Sequence, residues 1–209
     1  MKEKVSAIID ILKNRYPDAL CALHYSKDYE LMIAVRLSAQ CTDARVNLVT
    51  PALFAAYPTL EAMAGADIRH VEELVHSCGF YKHKARDIVL ACQMLIERYN
   101  SRVPDTMEEL LKLPGVGRKT ANLLLGDLYG TPGSVVCDTH CIRICGRLGL
   151  SQGKDPEKVE RQLRQILPPE ESSDFCHRIV LFGREICTAR SPKCGECPLS
   201  MHCKEFVPE

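Results

Sequence analysis

The chain carries the segment Leu113-Pro114-Gly115-Val116-Gly117-Arg118-Lys119-Thr120-Ala121, in which two closely spaced glycines lie between two apolar, helix-patterned segments. Glycine has no side chain, so the backbone can turn sharply here and its amides stay accessible. Amides that converge where a helix begins form an anion site, because their N–H groups and the positive helix end face the same ligand. The segment predicts a glycine hairpin between two helices, over about 105–128, that binds a nucleic-acid phosphate.

Lys119 lies in the first turn of the second helix of this hairpin, next to Arg118. A neighbouring cation and the positive helix end both disfavour the ammonium form, so part of the amine is expected to be neutral and nucleophilic. Two interpretations stay open from these residues alone. The hairpin is either a phosphate clamp without chemistry or the carrier of a catalytic nucleophile.

The composition is that of a globular protein with a sizeable core. The 209 residues are 46 % hydrophobic, enough for one large domain or two small ones. The first apolar stretch, 5–12, is interrupted by Asp10 and has the pattern neither of an export signal nor of a membrane span. We therefore expect a cytoplasmic protein, associated with the nucleoid in a prokaryote, with reduced thiols. The formal net charge is zero, so DNA binding must depend on a local basic patch.

The hydrophobic pattern is helical along the chain. Apolar residues recur at helical spacing over 2–19, and 29–38 is apolar enough for a buried helix, whereas no stretch alternates with a period of two. We predict an all-α fold. A turn-rich link at 131–134 places a domain boundary, giving one helical domain over 22–132 and a second formed by 1–21 plus 133–209.

Local signals predict where individual helices begin. Asp43 is expected to cap a helix that starts at Ala44, and Asp105 with Glu108 to form a capping box. The long helix 85–99 is expected to follow a loop, 79–84, that presents aromatic and cationic side chains. In an alternative reading of that loop, Phe80 and Tyr81 fold back under the helices.

Four of the twelve cysteines are bunched near the C-terminal end with the spacing C-x6-C-x2-C-x5-C: Cys187, Cys194, Cys197 and Cys203. Such thiolates hold zinc or an iron-sulfur cluster, and the single close pair favours a cluster while leaving zinc open. The eight scattered cysteines are predicted to be small buried residues. Cys137, Cys141 and Cys145 belong to this group, and a second metal or redox site there is the less favoured alternative.

Asp138 follows the apolar pair 135–136 and comes directly before a helical pattern. From these residues alone the simplest role is that of an N-cap for the helix. A carboxylate near a nucleophilic amine could equally accept its proton and stabilise positive charge that develops on a sugar.

Three separated motifs together resemble the endonuclease III family of DNA glycosylases. They are the hairpin, the segment Val136-Cys137-Asp138-Thr139-His140 followed by Arg143 and Arg147, and the cysteine spacing. The resemblance runs from about Asp28 to Cys203. It implies a helical barrel-like bundle that contains the hairpin, a second domain with the cluster loop 187–203, and an active-site cleft between the two.

The resemblance also implies the site residues. Lys119 corresponds to the catalytic nucleophile and Asp138 to the catalytic aspartate, and the four bunched cysteines hold one 4Fe-4S cluster with a structural role. Gln40 and Phe80 correspond to the residues that fill the base stack after the damaged base is extruded. Further DNA contacts are expected from Leu113, Gly115, Val116, Gly117, Arg118, Arg190 and Lys193.

The implied activity is that of a base excision repair DNA glycosylase with AP lyase activity, a monomer acting on duplex DNA that contains damaged pyrimidines or abasic sites. Two alternatives are a monofunctional adenine or mismatch-thymine glycosylase of the same superfamily and a non-enzymatic DNA-binding iron-sulfur protein. The lysine at position 119 argues against the first. Cleavage of an abasic strand would exclude the second.

Overall fold

The computed structural model describes residues 1–206, and within them the secondary structure is helical, without a β-strand. The predicted all-α class is confirmed. The α-helices of this part are α1 (Lys2–Arg15), α2 (Asp28–Ser38), α3 (Asp43–Ala56), α4 (Leu60–Ala64), α5 (Ile68–Val75), α6 (Tyr81–Arg98), α7 (Met107–Leu110), α8 (Arg118–Tyr129), α9 (Thr139–Arg147), α10 (Pro156–Ile166) and α11 (Ser172–Glu185). Short 3-10 turns occur at His76–Cys78, Pro169–Glu171, Cys194–Glu196 and Ser200–His202.

The chain divides into two compact units. The first, here called the hairpin unit, is Ala22–Tyr129, and the second, the cysteine unit, combines Met1–Cys21 with the chain from Gly130 onward. The first helix therefore belongs with the C-terminal part of the sequence. None of the helices within 1–206 is both long enough and apolar enough to cross a bilayer.

The core of the hairpin unit is built around α2. Seven of its eleven residues are buried, six of them apolar or small, as the near-continuous apolar pattern of this helix predicts. Helices α3, α6 and α8 pack on α2, and α4 and α5 pack on α6. Helices α2 and α6 thereby support the loops at their own ends and the hairpin before α8.

The cysteine unit is organised around α11, which packs against both α1 and α9. Val5, Ile8 and Leu12 supply the buried stripe of α1. At the end of α1, the Tyr16 hydroxyl donates a hydrogen bond of 2.5 Å to Glu185 on α11. Burial, together with this carboxylate, raises the pKa of Tyr16 to about 12. The opening helix is thus fixed to the last one.

Two predicted helix caps were wrong by one residue. Thr42, not Asp43, caps α3, because its hydroxyl accepts the Arg45 N–H at 3.3 Å. Likewise Thr106, not Asp105, caps α7. Threonine and aspartate are both good caps, and adjacent candidates leave the register of a sequence-based assignment undetermined.

The predicted start of the long helix at Ala85 was also wrong, since α6 begins at Tyr81. The intervening loop is only Gly79 and Phe80, both with positive φ (68° and 47°). Lys84, expected in a loop, lies on α6 and is buried. It shares a helical face with Ile88, Ala91 and Leu95, also buried, and this spacing is the signal that the sequence analysis missed.

Candidate active site

The hairpin between α7 and α8 has the geometry of an anion site. Gly115 adopts a φ of 75°, and the Val116 N–H donates to the Leu113 carbonyl at 3.1 Å, which closes the turn. Helix α8 follows directly, and the Ala121 N–H donates to the Gly117 carbonyl at 2.9 Å. The amides of residues 119 and 120 precede this bond and have no acceptor inside the helix. They are available to a phosphate oxygen.

Gly115 is fixed by an ion pair beneath it. The Arg36 guanidinium on α2 donates to the Asp87 carboxylate on α6, with Nη2 at 2.6 Å and Nε at 2.8 Å from Oδ2. A Cβ at position 115 would lie 2.4 Å from Arg36 Nε and 2.8 Å from Asp87 Oδ2. Only glycine fits both this contact and the positive φ. The sequence analysis could not predict this pair, because its members are 51 residues apart.

The side chains of the hairpin divide into buried and exposed groups. Leu113 and Val116 are buried, so any contact of theirs with DNA would be made by the backbone. Gly117 and Lys119 are exposed, and Arg118 is half-buried. Lys119 therefore presents its amine to solvent from the first turn of α8.

Asp138 is the N-cap of α9, as the simpler reading of the sequence predicts. Its Oδ1 accepts the Cys141 N–H at 2.7 Å, and the side chain is half-buried. The cap engages one carboxylate oxygen and fixes the direction of the side chain. A capping role and a chemical role are compatible here, because the cap hydrogen bond uses only one of the two carboxylate oxygens.

The cysteines around Asp138 are buried, as predicted. Cys141 and Cys145 place their sulfurs 4.0 Å apart on one face of α9. Cys137 and, from α11, Cys176 complete a thiol group packed on Cys141. Hydrogen bonds from the neighbouring thiols, first that of Cys137, raise the pKa of Cys141. The Cys141 thiol is therefore a poor nucleophile, and the burial of all four thiols suits a packing role.

The four bunched cysteines lie in the segment after α11. Together with Arg147, Ile186 and Pro192 they line a cavity of about 130 Å³. Burial raises the pKa of the Cys197 thiol, and the sulfurs of the other three cysteines act on it in the same direction. Within residues 1–206, no group of three or more Cys, His, Asp or Glu side chains is arranged so that it could hold a metal ion. The fit to an iron-sulfur cluster therefore rests on the four-thiol donor set and the cavity that it lines.

Two arginines of α9 tie this cysteine segment to the helix that Asp138 caps. Arg147 Nη1 donates to Cys187 Sγ at 3.3 Å and to the Thr188 carbonyl at 3.1 Å. Arg143 Nη2 donates to the Cys187 carbonyl at 2.9 Å. The segment is thereby anchored at its first cysteine. Arg190 and Lys193, which follow, are exposed.

The two stack-filling candidates lie at the ends of helices in the hairpin unit. Gln40 follows α2, is exposed and has a φ of 55°. Phe80 precedes α6 and is 65 % exposed, so it does not fold back under the helices. Tyr81 is half-buried, and the centroid of its ring lies 4.4 Å from that of His76. A cavity of about 260 Å³ opens between Gln40 and Phe80.

Comparison with known proteins agrees with this geometry. The profile of the HhH-GPD superfamily of base excision DNA repair proteins matches residues 33–169, and the iron-sulfur binding domain of endonuclease III matches 187–203. The endonuclease III of Synechocystis sp. is 46 % identical over 97 % of this chain and 92 % of its own length. That of Escherichia coli K12 is 38 % identical over 97 % and 96 %.

Solved structures give the same result. The structure described as a trapped endonuclease III–DNA covalent intermediate superposes with a TM-score of 0.92 and 43 % identity, covering 99 % of this chain and 97 % of the other. A thermostable thymine-DNA glycosylase, at 20 % identity and a TM-score of 0.84, shares the fold.

The helical fold and the match over residues 33–169 show that the chain is a helix-hairpin-helix protein of base excision DNA repair. Within that class the chain belongs to the endonuclease III family. It is accordingly a DNA glycosylase and AP lyase, and its 187–203 segment is the iron-sulfur binding domain of the family.

Proposed function

We propose that the protein excises damaged pyrimidines from duplex DNA through Lys119 and then cleaves the strand at the resulting abasic site. The observation that carries this proposal is Lys119 itself. Its amine is exposed in the first turn of α8, directly after a hairpin whose amides suit a phosphate. A phosphate held there would bring the sugar of the same nucleotide close to the amine.

The proposed reaction begins when the unprotonated amine of Lys119 attacks C1′ of the damaged nucleotide. A C1′–N bond to the lysine forms as the glycosidic bond to the base breaks, and the ring opens to a Schiff base. Removal of a C2′ proton then expels the 3′ oxygen, which nicks the strand 3′ to the lesion. Hydrolysis of the Schiff base returns the amine.

Asp138 is proposed to accept the proton of the attacking amine and to stabilise positive charge on the sugar. Its fixed direction as an N-cap supports this role, because a preorganised carboxylate needs no rearrangement during the reaction. Gln40 and Phe80 are proposed to fill the vacated stack, and their exposure on adjacent loops supports that assignment.

Cys187, Cys194, Cys197 and Cys203 are proposed to hold one 4Fe-4S cluster. The cluster would supply no step of the reaction and would fix the fold of the loop that displays Arg190 and Lys193 to phosphates. Gly115, Gly117, Arg118 and the backbone at Leu113 and Val116 complete the proposed DNA contact. We further propose that the protein works as a monomer in the cytoplasm, at the nucleoid.

The test is trapping of the Schiff base. Borohydride added during reaction with a duplex that contains a damaged pyrimidine should produce a covalent protein–DNA adduct, and Lys119→Ala should give none. Lys112→Ala, which removes an exposed lysine of the same hairpin region, should trap like the unaltered protein. A Lys119→Ala protein that traps as well as the unaltered protein would show that another amine is the nucleophile.

A further inference from the structure

Lys84 is a buried cation that no step of the proposed reaction uses. It is 1 % exposed and lies on the first turn of α6. Its Nζ donates to the carbonyl of Leu37 and to the carbonyl of Cys78, each at 2.8 Å. The first carbonyl belongs to the last turn of α2, and the second to the 3-10 turn before Gly79.

Both carbonyls lie where a helix leaves acceptors without partners. The last carbonyls of a helix have no intrahelical donor and carry the negative end of its dipole. Burying an ammonium is costly unless such acceptors surround it. Burial accordingly lowers the pKa of Lys84, while the nearby thiols of Cys41 and Cys78 act in the opposite direction. The Lys84 ammonium lies between the ends of two helices and donates a hydrogen bond to a carbonyl of each.

The two segments that Lys84 joins are those that carry Gln40 and Phe80. Gln40 comes three residues after Leu37, and Phe80 two residues after Cys78. Both have left-handed backbones, with φ of 55° and 47°. Non-glycine residues in this region are strained and persist only where the surroundings hold them. Arg36, Ala39 and His83 line the cavity between them with Lys84.

We propose that Lys84 is a positioning residue that holds the Gln40 and Phe80 loops at the spacing needed to fill the base stack. This inference rests on the proposed stack-filling role of those two residues. Lys84 does not touch DNA, because its ammonium is buried and bonded to two carbonyls. It acts on the extrusion of the base rather than on the chemistry at C1′.

Two substrates distinguish an effect of Lys84 on the position of the stack-filling loops from an effect on the chemistry at C1′. Single-turnover excision of a damaged pyrimidine from a duplex requires the stack to be filled, whereas β-elimination at a preformed abasic site in a single strand does not. Lys84→Met keeps the unbranched chain and removes the ammonium. It should slow duplex excision by about tenfold or more while leaving single-strand cleavage within about twofold, since small misplacements cost rates of this order.

Lys82→Met is the matched control, because it removes an exposed lysine of the same helix turn and should leave the ratio of the two rates unchanged. If Lys84 acts through its two loops, Lys84→Met should add little to a Gln40→Ala/Phe80→Ala double variant. Full additivity, or an equal loss on both substrates, would overturn the proposal.

Lys84→Gln covers the case in which Lys84→Met does not fold. It keeps a donor for one carbonyl and should show an intermediate shift in the rate ratio; an unchanged ratio overturns the proposal. Failure of the proposed function looks different. The unaltered protein would then leave the single strand uncut, whatever residue occupies position 84.

Discussion

At the scale of single residues, Gly115 shows how a hairpin is tied to its support. Gly115→Ala would place a Cβ 2.4 Å from Arg36 Nε at a φ of 75°. We expect a loss of about 2 to 4 kcal/mol in the free energy of unfolding, from backbone strain and overpacking. Urea unfolding measures it.

The neighbouring Gly117 is the matched control. A Cβ there meets nothing within 4 Å, and Gly117 has no positive φ. We expect Gly117→Ala to change stability by less than about 1 kcal/mol, because alanine at a compatible position restricts the unfolded chain. A Gly115→Ala loss as small as that of Gly117→Ala would show that the ion pair moves aside and does not constrain the turn.

Asp138 combines a cap with the proposed chemistry, and two substitutions separate them. Asparagine is as good an N-cap as aspartate, so Asp138→Asn should keep stability within about 0.5 kcal/mol, whereas Asp138→Ala should lose about 1 kcal/mol. Both should lose most of the trapping and nicking activity, since neither has a carboxylate. Thermal unfolding measures the effect on stability, and single-turnover rates measure the effect on activity. If Asp138→Asn stays active, Asp138 acts only as a helix cap and has no chemical role.

At the scale of elements, α9 connects the proposed catalytic aspartate with the cysteine loop. Arg147 is the link, and its hydrogen bond to the Cys187 sulfur is the main cause of the raised pKa of this guanidinium. Arg147→Met should speed loss of the cluster to a chelator by about tenfold, as removal of a group that orients a metal ligand does.

The visible absorbance of the cluster follows this loss. Arg161→Met, an exposed arginine of α10, should release iron at the rate of the unaltered protein. A cluster that is equally stable in Arg147→Met and the unaltered protein would show that the four thiolates hold the loop without help from α9.

The sequence predicts elements better than the contacts between them. Periodicity and turn residues predicted the helices, and the cysteine spacing, with the hairpin, led to the family. Adjacent caps such as Thr42 and Asp43 could not be separated, because both suit the same position. Arg36 with Asp87, and Lys84 with its two carbonyls, could not be predicted, because each contact joins helices that only tertiary packing brings together.

At the scale of the whole molecule, the charge balance means that DNA binding must depend on local basic groups. Lysine and arginine together equal aspartate and glutamate, at 27 each, so there is no overall attraction to a polyanion. If Arg190 and Lys193 contact phosphates, each change to glutamine should reduce the slope of log affinity against log salt by about 0.9.

Equilibrium binding to an undamaged duplex over a range of salt concentrations measures this slope. Lys154→Gln removes an exposed charge from a loop outside the proposed contact and should leave the slope unchanged. If Lys154→Gln reduces the slope as much as the changes at Arg190 and Lys193 do, the protein binds DNA through its general surface charge rather than through the cysteine loop.

The pairing of α1 with α11 has a consequence for biosynthesis. The hairpin unit is one uninterrupted stretch, Ala22–Tyr129, so it can fold while the ribosome is still translating the remainder. The opening helix must wait with its apolar stripe uncovered until α11 emerges, more than 150 residues later. The interval before α11 is made is therefore when the nascent chain is most exposed to chaperones and to aggregation.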